Sequence, residues 1–364
     1  MITGSNAIAN LSSCLHTSLT YKIDPLQDSR WDDLLRRHPS SSIFHTKAWL
    51  GALQRTYQYE PIAFTTSPPG AELEKGLVLC RVKSWLTGKR LVGVPFSDHC
   101  ELLAENANEV AALLLASNRE ALDNGLAYVE VRPKSRAEWS TSWERSTHSY
   151  CLHEIDLAPD LDTLFMRCHK NSTQRKIRRS YREGLAYEEG QSRSLLNCFY
   201  HLLLMTRRRH RIPPQPLRWF ENLAAGFAEG LKIRVAFRGR TPVAAIITIR
   251  HKDCLVYKYG ASDTNYHNLG PMHLLLWKSI EDAKRQGLHT FDLGRSEFRN
   301  SGLVQFKDRW GGRRSLVEYF QYPASAPSSH KTKRWIEKTA RSAFAYVPNW
   351  VLRSVGELGY KHIG

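Results

Sequence analysis

The sequence predicts a mixed α/β protein made of two copies of one architecture, and three observations carry this. The order of helical segments, three strand-like runs, a loop, one helix and a closing strand occurs twice. Within a copy the three runs are joined by short connections, which favour an antiparallel meander. A helix then separates the third run from the fourth, the crossover that joins parallel strands. The 364 residues suffice for two domains. The first is placed over 21–155 and the second over 156–322, with 323–364 as a basic and apolar tail. The copies share an order of elements and no visible motif.

In the first copy, Trp49, Leu50 and Leu53 fall on one face and predict a helix over 46–57. Residues 61–65, 76–82 and 91–96 read as strands. An amphipathic helix follows over 107–122, stopped by Asn124-Gly125, and alternation over 127–131 predicts the closing strand. The second copy opens with helical patterns over 194–208 and 216–228. Its strands are 231–237, 243–250 and 254–259, joined by Arg238-Gly239-Arg240-Thr241 and His251-Lys252-Asp253. Pro271 opens the next helix at the first-turn position, where its missing N–H is no loss. Met272, Leu276, Ile280 and Ala283 share its apolar stripe, Gly287 ends it, and 290–293 closes the unit. A cleft is expected where the last meander strand and this closing strand splay.

Between the copies lie Arg167, Lys170, Arg175, Lys176, Arg178, Arg179 and Arg182, seven cations within 16 residues. So many cannot all face a core. Arg175, Lys176, Arg178 and Arg179 are expected to form a polyanion-binding surface beside the cleft, the alternative being a solvated helix face. After Pro323 a turn-rich linker leads into a segment mixing Lys331, Lys338, Arg353 and Lys361 with Trp335, Phe344, Trp350 and Leu352. It is read as packing back on the first domain, with an anionic membrane surface as the alternative; Pro348 interrupts any long amphipathic helix there.

Lys and Arg total 52 against 35 Asp and Glu, a net charge of +17. A field of that sign attracts nucleic acid, anionic headgroups or phosphorylated substrates. Seven scattered cysteines with no CxxC pair argue against a disulfide framework, and no metal site is expected. No apolar run approaches the roughly 18 residues needed to cross a bilayer. The N-terminus has no secretory pattern, so the expected compartment is the cytoplasm, or the inner face of the membrane if the tail binds there. No Gly-x-Ser-x-Gly, phosphate-binding P-loop or dinucleotide fingerprint is present.

A family signal lies in the second copy. Val256-Tyr-Lys-Tyr-Gly-Ala-Ser-Asp263, Phe291-Asp-Leu-Gly-Arg295, and Gly302-Leu-Val-Gln-Phe-Lys307 with Trp310-Gly311 resemble the second half of FemAB/FemX-type proteins. Lys170 to Leu185 resembles that family's basic segment, and Pro95-Phe-Ser-Asp-His99 resembles a first-domain loop of its polysaccharide-associated members. The resemblance spans about residues 25–320. It implies two tandem GNAT-like acyltransferase domains. It also implies transfer of an acyl or aminoacyl group to an amine on a cell-envelope glycan or peptidoglycan precursor. Acyl-CoA or aminoacyl-tRNA would be the co-substrate, with no permanently bound cofactor.

Both donors pose one chemical problem. A neutral amine attacks an ester or thioester carbonyl, and negative charge develops on oxygen, where a fixed cation lowers the barrier. Lys307 matches the family's catalytic lysine, with Phe306 as the apolar neighbour that helps place it. Asp292 would orient the amine or accept its proton. Tyr259 matches a family tyrosine near the acceptor amine. Leu255, Tyr257 and Tyr259 alternate and are expected on one side of their strand, Tyr257 beside the substrate. Gly294 would let backbone approach a ligand, and Arg295 would clamp phosphate or carboxylate. Asp98 and His99 would contact substrate from the first-domain loop. Arg209 matches an arginine that contacts the precursor's diphosphate.

Two positions depart from the family. Bridge-forming members carry a lysine four residues after the first-domain tryptophan; here Leu53 follows Trp49 at that spacing, which favours a different acceptor. The CoA-binding pattern keeps only its central glycine, Gly270, so the donor stays open. Two rivals remain: a CoA-dependent N-acetyltransferase acting on an amino sugar, and a non-catalytic basic protein that binds RNA or membrane.

Overall fold

In the first copy the meander consists of β2 (Glu60–Thr65), β3 (Leu77–Ser84) and β4 (Gly88–Val92), with β1 (Tyr21–Ile23) added at its edge. The crossover helix α3 (Ala107–Asp123) returns the chain to β5 (Val129–Val131), parallel to β4. Ahead of the meander lie α1 (Arg30–Arg37) and α2 (Lys47–Tyr57). These are elements of a computed structural model, which describes residues 19–134, 143–323 and 348–362. The linker after Pro323 and the tail cations and aromatics before Pro348 lie outside the described residues.

The second copy repeats the pattern. Helices α6 (Arg193–His210) and α7 (Leu217–Phe227) precede the antiparallel β8 (Leu231–Arg238), β9 (Thr241–His251) and β10 (Cys254–Ser262). Helix α8 (Pro271–Arg285) crosses over to β11 (Thr290–Glu297), which is parallel to β10. Strand β7 (Ala186–Gly190) lies at the outer edge, after α4 (Leu161–Arg167) and the basic helix α5 (Arg175–Arg182). The mixed α/β class and the duplicated order are therefore both present.

Two strands outside the expected pattern fuse the copies. β6 (Glu144–Asp156) leaves the first copy and pairs with β11 of the second. β12 (Arg313–Tyr322) leaves the second copy, pairs with β5 of the first, and also pairs with β6. Each copy thus gives its last strand to the other, and twelve strands form one sheet in the order β1-β2-β3-β4-β5-β12-β6-β11-β10-β9-β8-β7. A short helix, α9 (Ser301–Asp308), fills the segment between β11 and β12.

The largest core runs across the seam. Trp49 of α2 meets Trp219 of α7 edge-on at 5.2 Å, and Gly226 of α7 lies so close to Ala48 that a Cβ would stand 3.1 Å from the Ala48 carbonyl. The opposite face of the second copy buries α8 with Ile177 of α5 and Trp310. The last helix, α10 (Asn349–Tyr360), seats Leu352, Gly356 and Tyr360 inward. Its Tyr360 carbonyl accepts from the Tyr59 hydroxyl at 3.1 Å, and the Tyr360 hydroxyl donates to Pro213 O at 3.2 Å, so α10 ties the two copies together.

One expectation is corrected. Tyr257 and Tyr259 do not share a side of β10. The pairing of β10 with β9 slips between them, a bulge at Lys258 that reverses the alternation. Tyr259 enters the seam core, while Tyr257 packs on the opposite face and its ring covers Gly260.

Candidate active site

The strands β10 and β11 are parallel neighbours only from Cys254–Val256 to Thr290–Asp292, although both continue several residues further. Beyond that point they part. β11 slips in its pairing with β6 between Asp292 and Arg295, opposite the bulge in β10. Gly294 sits inside this second bulge at φ +73°, and a Cβ there would stand 3.2 Å from the Asp98 carboxylate. The backbone angle favours glycine, and a Cβ would also press on the Asp98 carboxylate.

Helix α9, capped by the Asn300 side chain on the Leu303 N–H, delivers Lys307 into that opening. Its ammonium donates to the carbonyls of Gly294 at 2.8 Å and Arg295 at 3.1 Å. Lys307 is 3% exposed, and among the described residues no carboxylate lies within ion-pair distance of it. Burial pulls its pKa down from 10.5 to about 8, with Asp98 and Asp292 opposing the shift. At neutral pH the group is still mainly a cation, one proton from release.

Asp292 and Asp98 stand on either side of the bulge. The Asp292 carboxylate accepts the Gly294 N–H at 2.6 Å and lies 3.4 Å from His99 Nε2. Burial alone would raise this carboxyl; the His99 contact, the Gly294 bond and the charge of Lys134 outweigh it and hold it below the usual range. Asp98 accepts from Lys258 Nζ at 2.9 Å and lies 3.6 Å from Arg295 Nε. Arg295 is stacked over Tyr150 at 4.2 Å and Tyr319 at 5.3 Å. Lys258 rests among Phe44, Trp49 and Tyr259, at 5.1 Å, 5.5 Å and 5.7 Å from their rings. A cleft of about 620 Å³ opens beside Asp292, walled by His99, Glu101, Lys134, Glu154 and His251.

Six sequence-derived candidates therefore converge: Asp98, His99, Asp292, Gly294, Arg295 and Lys307. Others lie apart. The Tyr259 hydroxyl accepts from Trp219 Nε1 at 2.8 Å inside the seam core. Phe306 packs edge-on to His273 at 5.3 Å, which anchors α9 on α8. Arg209 is exposed at the end of α6, where Nη1 donates to Ser262 O at 3.3 Å. Sequence reading missed Lys258, the cation between the two tyrosines of β10. A lysine flanked by aromatics in an otherwise apolar strand was the available signal.

The N-terminus of α8 forms a second, basic locus. Its cap, Gly270, provides no side-chain bond, has φ +79°, and would place a Cβ 2.5 Å from Lys176 O. Lys176 Nζ donates to the carbonyls of His267 at 3.0 Å and Asn268 at 2.9 Å. Burial, with Arg209 and Lys176 nearby, lowers the His267 pKa. Along α5, Arg175 and Arg178 are exposed, Arg178 covers the Phe165 ring at 5.1 Å, and Arg179 pairs with Glu183 at 3.2 Å. Among the described residues, no cluster of three or more His, Cys, Asp or Glu is arranged to hold a metal, and no helix is long and apolar enough to cross a membrane.

Residues 168–308 match the acetyltransferase (GNAT) domain family. A UDP-N-acetylmuramoylpentapeptide-lysine N(6)-alanyltransferase of Weissella viridescens is 26% identical over 152 residues, 41% of this chain and 45% of that protein. The match thus spans less than half of that relative. The crystal structure of FemX aligns with a TM-score of 0.65 at 14% identity, covering 88% of this chain and all of FemX. L-PGS from Bacillus licheniformis aligns at 0.56 with 14% identity, covering 86% and 97%. A tandem GNAT protein from the clavulanic acid biosynthesis pathway aligns at 0.53 with 12% identity, covering 85% and 99%. The resemblance to the FemAB/FemX-like tandem-GNAT proteins is borne out: residues 168–308 match the GNAT domain family, and the chain shares the fold of FemX and of a tandem GNAT protein.

Proposed function

We propose that this protein is an acyl- or aminoacyltransferase that modifies an amine on a cell-envelope glycan or peptidoglycan precursor. The observation that carries the reading is Lys307: a buried ammonium whose hydrogen-bond partners among the described residues are two carbonyls, held in a bulge where two parallel strands part. A cation placed there can meet the oxyanion that forms when an amine attacks an ester or thioester. Asp292, oriented by His99 and Gly294, would accept the proton of the attacking amine from the side of the 620 Å³ cleft. The proton then leaves with the ribose hydroxyl or thiol as the tetrahedral intermediate collapses. Arg295 and Asp98 would fix the acceptor.

The donor reading is aminoacyl-tRNA first and acyl-CoA second. The alanyltransferase relative favours the former, and both donors bring phosphates suited to Lys176 and Arg209 beside the uncapped α8 N-terminus, with Arg175 and Arg178 exposed on the neighbouring α5. Both donors are made in the cytoplasm, where the reaction would run. One observation favours an acceptor other than a nucleotide-linked muropeptide. Leu53, at the place of the family's lysine, is fully buried in the seam core and offers no charge to a diphosphate. An amino sugar acetylated from acetyl-CoA is the second reading on that ground.

The test pairs donors with acceptors. Purified protein is incubated with alanyl-tRNA or acetyl-CoA and with peptidoglycan precursors or amino sugars, and product is read by mass spectrometry. Product from one pair that vanishes in Lys307→Met supports the reading. Unchanged turnover in that variant removes Lys307 from the chemistry.

A further inference from the structure

We propose that the tip of the β3–β4 hairpin and the outward face of α10 form one docking surface for an anionic lipid bilayer. Of the eight described tryptophans, six are buried in cores. The remaining two, Trp85 at 84% and Trp350 at 69% exposed, lie on these two elements. Leu86 at 39% and Leu358 at 67% exposed accompany them. Trp85, Trp350 and Leu358 keep most of their surface in solvent, so the fold gains little from burying them.

The two elements are fastened to each other. Ser84 Oγ accepts the N–H groups of Leu86 at 3.1 Å and Thr87 at 2.9 Å, and contacts His362 Nδ1 at 2.9 Å. The His362 carbonyl accepts from Thr87 Oγ1 and from Arg90 Nη2, both at 3.1 Å. The Trp85 ring meets the His362 ring at 5.4 Å. The tip is thus held rigid against the end of α10. The helix itself keeps Leu352, Gly356 and Tyr360 inward, so Trp350 and Leu358 are not needed to seat it.

Charge selects the occupant. Lys83 and Lys89 face each other across the hairpin just below Trp85, both exposed. Lys89 has no ion pair among the described residues, and the nearest carboxylate to Lys83 is Glu60 at 3.8 Å. Lys361 is exposed at the end of α10, and Glu357 is the one acidic residue of that helix. Tryptophan and leucine flanked by lysine match the headgroup layer of an anionic membrane: rings at the interface, ammonium groups on phosphate. A projecting tip enters such a layer side chain by side chain, whereas it offers a rigid protein partner little continuous area. The surface is also close to the seam. Tyr360 meets Phe96 at 5.8 Å, Phe96 meets Trp219 at 5.8 Å, and Trp219 meets Trp49 at 5.2 Å, over whose ring Lys258 of the site rests. Docking would therefore hold the candidate site near a lipid-borne acceptor, a consequence that rests on the transferase reading; the docking itself does not.

The full-length protein is sedimented with sucrose-loaded vesicles of phosphatidylcholine alone or with about 30% phosphatidylglycerol, at low and high salt. Binding to the anionic vesicles only, weakened at least about tenfold by Trp85→Ser/Leu86→Ser with an unchanged melting temperature, is the expected result. Trp350→Ser/Leu358→Ser should weaken it less, because α10 lies beside the tip. Quenching of tryptophan fluorescence by brominated lipid should fall in Trp85→Phe. No binding by the wild type, or equal binding by the hairpin variant, overturns the proposal; the latter would assign binding to net charge alone. Self-association that the hairpin variant abolishes, without vesicle binding, would assign the surface to a second copy and likewise overturn it. Because no substrate is present, these outcomes are separate from success or failure of the transferase reading.

Discussion

In the first copy the parallel pair β4–β5 runs into a sealed corner. The Gly93 N–H donates to Glu130 O and the Cys100 N–H to Arg132 O, both at 2.6 Å. Arg132 closes over the corner, with Nε 2.9 Å from the Glu130 carboxylate and Nη1 3.1 Å from Val94 O. In the second copy the corresponding pair, β10–β11, parts at a bulge, and the group that fills the gap is an ammonium facing two carbonyls. One topology thus yields a wall and a site. A buried cation with a matched carboxylate is a structural closure, whereas one held by neutral carbonyls keeps its charge available. The wall also serves the site: the loop leaving its sealed corner carries Asp98 and His99 across the seam to Lys258 and Asp292.

The sharpest way to break this comparison is to neutralise each cation in turn. Arg132→Met strands the Glu130 carboxylate in the interior and should lower unfolding stability by about 3–5 kcal/mol in denaturant melts. An unchanged melt would mean that the corner is not the closure described. Lys307→Met is the opposite case. It should reduce kcat by about 10²–10³-fold, the range for losing an oxyanion donor. Stability should hold or rise, since an apolar chain of similar length replaces a buried charge. A variant that is destabilised and fully active would make Lys307 a structural residue.

pH sharpens the same contrast. The Lys307 pKa is lowered to about 8, so the charged form is lost as pH rises through that value, and kcat should fall above it. For stability the sign is reversed. A lysine whose folded pKa lies below its unfolded value of 10.5 binds fewer protons in the native state between about pH 8 and 10.5. Wild-type stability relative to Lys307→Met should therefore increase across that window, measured as the difference between the two proteins. A flat difference would place the Lys307 pKa near its ordinary value.

The sequence revealed what local pattern encodes. The repeated order of elements followed from periodicity and turn residues, and Asp98, Asp292, Gly294, Arg295 and Lys307 converge from the motifs that suggested them. Features set by long-range pairing were not legible. β6 mixes buried His153 and Glu154 with buried Tyr150 and Leu152, so it has no clean apolar face to betray a strand. The exchange of β6 and β12 joins segments far apart in the chain. The bulge at Lys258 arises from register with β9, which is why Tyr257 and Tyr259 separate against their alternation. Nor could sequence show that Trp219 engages the Tyr259 hydroxyl.

The smallest effects lie at the two crossover helices. The first-copy helix α3 is capped by Asn106, whose side chain accepts the Glu109 N–H at 3.1 Å, and Glu109 binds Lys75. The second-copy helix α8 has no side-chain cap and is flanked by Lys176 instead. Asn106→Ala should cost about 1 kcal/mol of stability and leave turnover alone, because its bond only closes a helix end. Lys176→Ala should leave stability nearly unchanged and raise the donor KM by roughly threefold to tenfold, an effect that shrinks with added salt. If both variants behave alike, whether as stability losses or as KM effects, then the two helix ends do the same job. The division of the fold into a sealed copy and an open one would then stop at the strand bulge and not extend to the helices.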